Sequence, residues 1–156
     1  MPGDPSTAAL AASLSGTWLI DESVSKNTGD LLKYFGMPWL LQQGVLASAT
    51  PPMEFLMTPE GEVTIVYPGL FPLKNHYVLG GAKNIHNSMW SKQDCTVALS
   101  KDREGNPAFV ITVPQGDKGD LIISHSLRGT RHHVLILVVL KGEEKVHIPR
   151  FYDLKK

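Results

Sequence analysis

Residues 108–154 read AFVITVPQGDKGDLIISHSLRGTRHHVLILVVLKGEEKVHIPRFYDL. Three turn signals cut this stretch: Gly116-Asp117-Lys118-Gly119, Arg128-Gly129-Thr130 and Lys141-Gly142-Glu143. The runs between them are rich in Val, Ile, Leu and aromatic residues, and predict strands near 108–115, 120–127, 132–141 and 145–154. Links this short cannot hold a crossover, so the neighbours run antiparallel as hairpins. The same rhythm, a turn about every 8–12 residues, continues towards the N-terminus. Pro59-Glu60-Gly61, Pro68-Gly69, Gly80-Gly81 and Arg103-Glu104-Gly105-Asn106 mark it. Further strands are expected near 15–24, 51–58, 62–68, 72–80, 87–94 and 95–102. The fold class that follows is all-β: a ten-stranded antiparallel up-and-down β-barrel. Closure leaves no edge, and an interior wide enough for a ligand.

One segment breaks the rhythm. Residues 28–46 read TGDLLKYFGMPWLLQQGVL. Thr28 can cap a helix, and Leu31, Leu32 and Phe35 fall on one helical side. Gly36 can end that helix, and Pro38 suits the first turn of a second. Helices of about two turns are not stable alone and must pack an apolar face on something. A short helix–turn–helix lid over the barrel mouth does this, with Phe35, Met37, Trp39 and Leu40 lining a portal or sealing the rim.

The 156 residues suit one domain, taken as 14–156 after a small-residue stretch, 1–13, read as a flexible extension and not as a signal peptide. Fifteen basic and fifteen acidic side chains cancel, and no stretch concentrates one sign, which argues against a nucleic-acid partner. The one cysteine, Cys95, rules out an intrachain disulfide and suits a reducing compartment. No window approaches the roughly 18 apolar residues of a membrane-spanning helix. The six histidines match no zinc spacing, and the P-loop, Rossmann and Gly-x-Ser-x-Gly patterns are missing. Neither a metal nor a cofactor is expected, and the chain is read as no enzyme.

Alternation along the last strand puts Val146, Ile148, Arg150, Tyr152 and Leu154 on one face. An arginine on an apolar face needs a partner, and its rigid fork matches a carboxylate. That partner is either a ligand head group or an acidic side chain near the barrel end. Pro149 removes one ladder hydrogen bond, and a bulge there would turn Arg150 off this face. On the eighth strand His125 shares a side with Leu121, Ile123 and Leu127. It either meets the ligand or is a core histidine. Trp18 is read as a plug for the closed end, and Met53, Phe55 and Met57 as one inward face.

Several stretches, in this order, resemble the intracellular fatty-acid-binding protein family of the calycin superfamily. They are Ser15-Gly16-Thr17-Trp18, Lys33-Tyr34-Phe35-Gly36, Glu62-Val63-Thr64-Ile65 with Phe71-Pro72-Leu73-Lys74-Asn75, Val138-Val139-Leu140-Lys141-Gly142, and Arg150-Phe151-Tyr152. The resemblance implies a cytoplasmic, monomeric carrier for a long-chain fatty acid or similar hydrophobic anion, retinoid-like acids included. It implies that Arg150 and Tyr152 hold the carboxylate, and that the lid touches membranes transiently. Where the family offers a second arginine on its eighth strand, this chain offers His125. The alternatives are a calycin-type barrel that binds haem or a chromophore, one that carries out chemistry on a hydrophobic ligand through His125, and a filled barrel acting through its surface.

Overall fold

The computed structural model of the chain describes residues 3–48, 50–69, 72–81, 83–88 and 91–155. Ten strands are present: β1 (Gly16–Ile20), β2 (Met53–Met57), β3 (Glu62–Tyr67), β4 (Leu73–Val78), β5 (Asn84–Asn87), β6 (Lys92–Lys101), β7 (Pro107–Pro114), β8 (Asp120–Arg128), β9 (Arg131–Leu140) and β10 (Glu143–Leu154). They form one antiparallel sheet in the order β4-β3-β2-β1-β10-β9-β8-β7-β6-β5. The all-β barrel with its helical lid is therefore as expected. Between β9 and β10 the two-residue turn holds Lys141 and Gly142 at φ 52 and 78. Positive φ at both positions matches the twist of the flanking strands, and Gly142 makes it cheap.

Among the described residues no backbone ladder joins β4 to β5, and asparagine side chains stand in for it. Asn75 on β4 donates from Nδ2 to the Asn87 carbonyl at 3.0 Å and accepts from the Asn87 N–H at 2.7 Å. Asn84 on β5 does the reverse with Val78, accepting at 2.8 Å and donating at 3.2 Å. Each amide thus completes both backbone groups of the facing residue. The expected strands 87–94 and 95–102 are replaced by β5, earlier in the chain, and one long β6. Asparagine favours turns over strands, so composition hid β5. Met89 and Trp90, within the expected fifth strand, and Phe71, within the quoted fourth-strand stretch, lie outside the described residues.

The two ends of the barrel differ. The closed end is packed with Trp18, Phe55, Phe109, Ile111, His125 and His132, all nearly inaccessible. Beneath it lies α1 (Pro5–Leu14), where a flexible extension was expected. Asp4 caps this helix through a 2.9 Å bond from the Thr7 N–H, and Pro5 occupies its first turn. Leu10, Ala11 and Leu14 bury one side of it against the barrel. Trp18 donates from Nε1 to the Leu14 carbonyl at 2.9 Å, which ties the helix end to the plug. Gly16, two residues before Trp18, has φ 151, and a Cβ there would lie 2.8 Å from Leu154 Cδ1. The positive φ is what favours glycine here, since the tip of the Leu154 side chain could move aside.

At the open end sit α2 (Gly29–Tyr34) and α3 (Trp39–Ala47). Leu31 and Leu32 bury α2, whereas α3 buries no residue. Tyr34 fastens α2 to the β7–β8 turn, donating from its hydroxyl to the Lys118 carbonyl at 2.7 Å. Among the described residues no helix is long and apolar enough to cross a membrane.

Candidate functional site

Between the packed end and the lid lies a cavity of about 340 Å³, within the roughly 300–1,000 Å³ range of small-molecule sites. Its apolar wall comes from Leu121 and Ile123 on β8, Val134 and Ile136 on β9, and Leu31 and Leu32 on α2 of the lid. Register explains the wall: Ile123 faces Ile136 across β8–β9, and Ile136 faces Ile148 across β9–β10.

Arg150 and Tyr152 both line this cavity, as alternation along β10 predicts. Pro149 does not disturb them. The β9–β10 register runs unbroken from Val146 to Tyr152, and its single irregularity lies between Glu144 and Val146. The strand tolerates Pro149 because β1 pairs with β10 only as far as Tyr152. Beyond that point the loop after β1 takes over: Lys26 donates its N–H to the Pro149 carbonyl at 2.9 Å, and Ser25 Oγ accepts from the Phe151 N–H at 2.8 Å. A missing N–H therefore costs no ladder bond here.

The same loop brings the Lys26 carbonyl to 3.3 Å from Arg150 Nη1. Arg150 is only 7% exposed, and among the described residues no carboxylate pairs with it. Glu22 lines the cavity mouth but is exposed and makes no ion pair with Arg150. Among the described residues the Arg150 guanidinium donors thus meet neutral oxygens alone, the Lys26 carbonyl and the Tyr152 hydroxyl. Burial raises the Tyr152 phenol above its ordinary value, against the pull of the Arg150 charge, so its hydroxyl stays a donor. Tyr67 also lines the site, and burial pushes its phenol well up. The arrangement presents a cation and phenol donors at the edge of an apolar cavity. Such an arrangement suits an anionic head group, and among the described residues it brings no nucleophile and base together.

His125 is not among the cavity-lining residues. It faces inward, on the side shared with Leu121 and Ile123, but one step nearer the closed end. There its Nδ1 lies 2.9 Å from His132 Nε2, and its ring packs 5.1 Å from Phe55. The expected ligand contact at His125 is corrected accordingly: alternation gives the face of a strand, not the height along the barrel. Burial lowers its pKa to about 3. The ring is buried and neutral and lies outside the cavity lining.

The lid residues divide as well. Phe35, Met37 and Leu40 line a groove of about 700 Å³ between the lid and the start of β4. Trp39 lies outside the groove lining and is 71% exposed. Sequence reading missed Asn75 and His86, which line the cavity from β4 and β5. The alternation of buried Asn75 with Tyr77, and of Asn84 with His86, was the available signal, masked by polar composition.

The architecture, an antiparallel ten-stranded barrel with a short helical lid, is of the calycin type. More particularly, the fold is that of the fatty-acid-binding proteins. A Schistosoma mansoni fatty acid binding protein in complex with arachidonic acid superposes with a TM-score of 0.70 at 19% identity, covering 94% of this chain and 99% of that one. The Caenorhabditis elegans lipid binding protein 8 gives 0.72 at 12% identity, covering 92% and 96%. A zebrafish ileal bile acid-binding protein complexed with cholic acid gives 0.64 at 12% identity, covering 92% and 99%. No protein-family model and no curated protein matches the sequence.

Proposed function

We propose that this protein is a carrier that binds one long-chain hydrophobic carboxylate inside the barrel. Arg150 and the Tyr152 hydroxyl take the head group, and the tail lies along Leu121, Ile123, Val134 and Ile136. The lid groove at Phe35, Met37 and Leu40 is the entrance, with α3 as its moving part. The observation that carries the reading is Arg150: 7% exposed, at an apolar cavity, with no acidic partner among the described residues. A buried cation without a counter-charge is costly, and a ligand carboxylate supplies both the charge and two acceptors for the fork. Each buried methylene of the tail adds about 0.8 kcal/mol before ordering costs. A cytoplasmic monomer that passes its ligand to membranes through brief lid contacts fits this role, and no reaction on the ligand is part of it.

The test is Arg150→Ala, titrated with palmitic acid and with hexadecanol. Loss of a charged hydrogen bond should weaken the acid by about 1.5–3 kcal/mol and leave the alcohol nearly unchanged. Equal losses in a variant that remains folded would sink the reading.

A further inference from the structure

The cavity has a second polar pole. His86 lines it from β5, which lies five strands from β10 whichever way the barrel is counted, once the asparagine-bridged gap is included. His86 therefore stands on the wall opposite Arg150. Its Nδ1 is 2.8 Å from the hydroxyl of Tyr77, which is itself buried. Among the described residues that hydroxyl has no other partner.

The proton positions follow from this pairing. A buried hydroxyl proton needs an acceptor, and His86 Nδ1 is the one at hand. A neutral imidazole carries one proton, so with Nδ1 accepting, the proton sits on Nε2. Burial, which lowers the His86 pKa to about 4, keeps the ring neutral at physiological pH. Nε2 has no protein partner among the described residues. One N–H without a protein partner is thus left on a residue that lines the wall opposite Arg150. A plain hydrocarbon tail crossing the cavity would strand it.

We propose that His86 Nε2 is a second recognition point, and that the ligand is an oxygenated amphipathic acid: a carboxylate at Arg150 and a hydroxyl or keto oxygen farther along its chain, accepting from His86. Tyr77 acts as a positioning residue that fixes the tautomer. The proposal rests on the carrier reading and narrows its ligand class.

Calorimetric titration of the whole protein with stearic acid and with its mid-chain hydroxy and keto derivatives tests it. One of the oxygenated acids is expected to bind roughly 2–10-fold tighter than stearic acid, the range for one neutral hydrogen bond. In His86→Phe that preference should vanish, the oxygenated acid losing affinity and stearic acid, whose tail no longer strands an N–H, losing none. His86→Phe combined with Tyr77→Phe leaves no stranded hydroxyl and serves if the single variant is unstable. Should stearic acid bind and need Arg150, yet no oxygenated derivative gain, the proposal is overturned and the carrier reading stands. A gain that persists in the His86 variants overturns it too. If no acid binds at all, both fall.

Discussion

His125 and His132 meet ring edge to ring face at the closed end, 5.1 Å between centroids, with Trp18 and Phe55 around them. Burial holds His125 at about 3 and His132 well below the ordinary range, and among the described residues His132 Nδ1 has no hydrogen-bond partner. Both pKa values are depressed relative to an unfolded histidine near 6.5, so acid protonates the unfolded chain first. Stability should therefore fall as the pH drops below about 6.5, by about 1.4 kcal/mol per pH unit for each histidine. Urea unfolding between about pH 7 and 5 measures the slope, and replacing both rings with Gln should reduce it without abolishing it, because burial also lowers His86 and His133 to about 4. A slope unchanged in that variant would contradict the assignment. Ligand affinity, by contrast, should carry no pH dependence traceable to His125. At this scale the inward face of β8 and of β10 was readable, because alternation is strict. The depth of each residue was not: whether an inward position meets the cavity or the plug depends on strand stagger around the barrel, which no single strand encodes.

The helices are unequal in what they bury. Leu14 of α1 is fully buried and Leu32 of α2 nearly so, while Leu40 of α3 is 75% exposed. Leu14→Ala should cost about 2–5 kcal/mol, as for other core leucines, while Leu40→Ala should stay within about 0.5 kcal/mol. Chemical denaturation of the two variants checks this; comparable losses would mean that α3 is core and not a moving lid. The lid was legible because Gly36 and Pro38 punctuate an apolar run. The first helix went unread because its residues are small and its apolar face is narrow. The start signal was nonetheless there, in Asp4 followed by Pro5. The hairpins from β7 to β10 were nearly right in their bounds, since each turn carries glycine at positive φ: Gly116, Gly119, Gly129 and Gly142. The pair β5 and β6 was not, because β5 is short and polar, with two asparagines in four residues, and joins β4 through asparagine amides, so its composition is not strand-like.

For the whole molecule, closure of the barrel depends on those amides. Asn75→Ala would leave the Asn87 N–H and C=O without partners, at about 1–3 kcal/mol. Amide exchange at β4 and β5 should then quicken ahead of exchange at β8 and β9; uniform protection across the sheet would contradict the bridging role. The barrel and its lid could be read from turn rhythm, but the two-ended interior could not. One end is plugged by aromatics and histidines, and the other is hollow beside Arg150. The central claim is that an ionised carboxyl sits in that hollow against the guanidinium. Carbon-13 NMR of carboxyl-labelled palmitic acid, titrated against pH in the presence of the protein, observes that group directly. The account expects one bound resonance whose carboxyl stays ionised to lower pH than the free acid, because an opposite charge nearby favours the anion. A bound carboxyl that titrates at or above the free value, or one that titrates identically in Arg150→Ala, would contradict it.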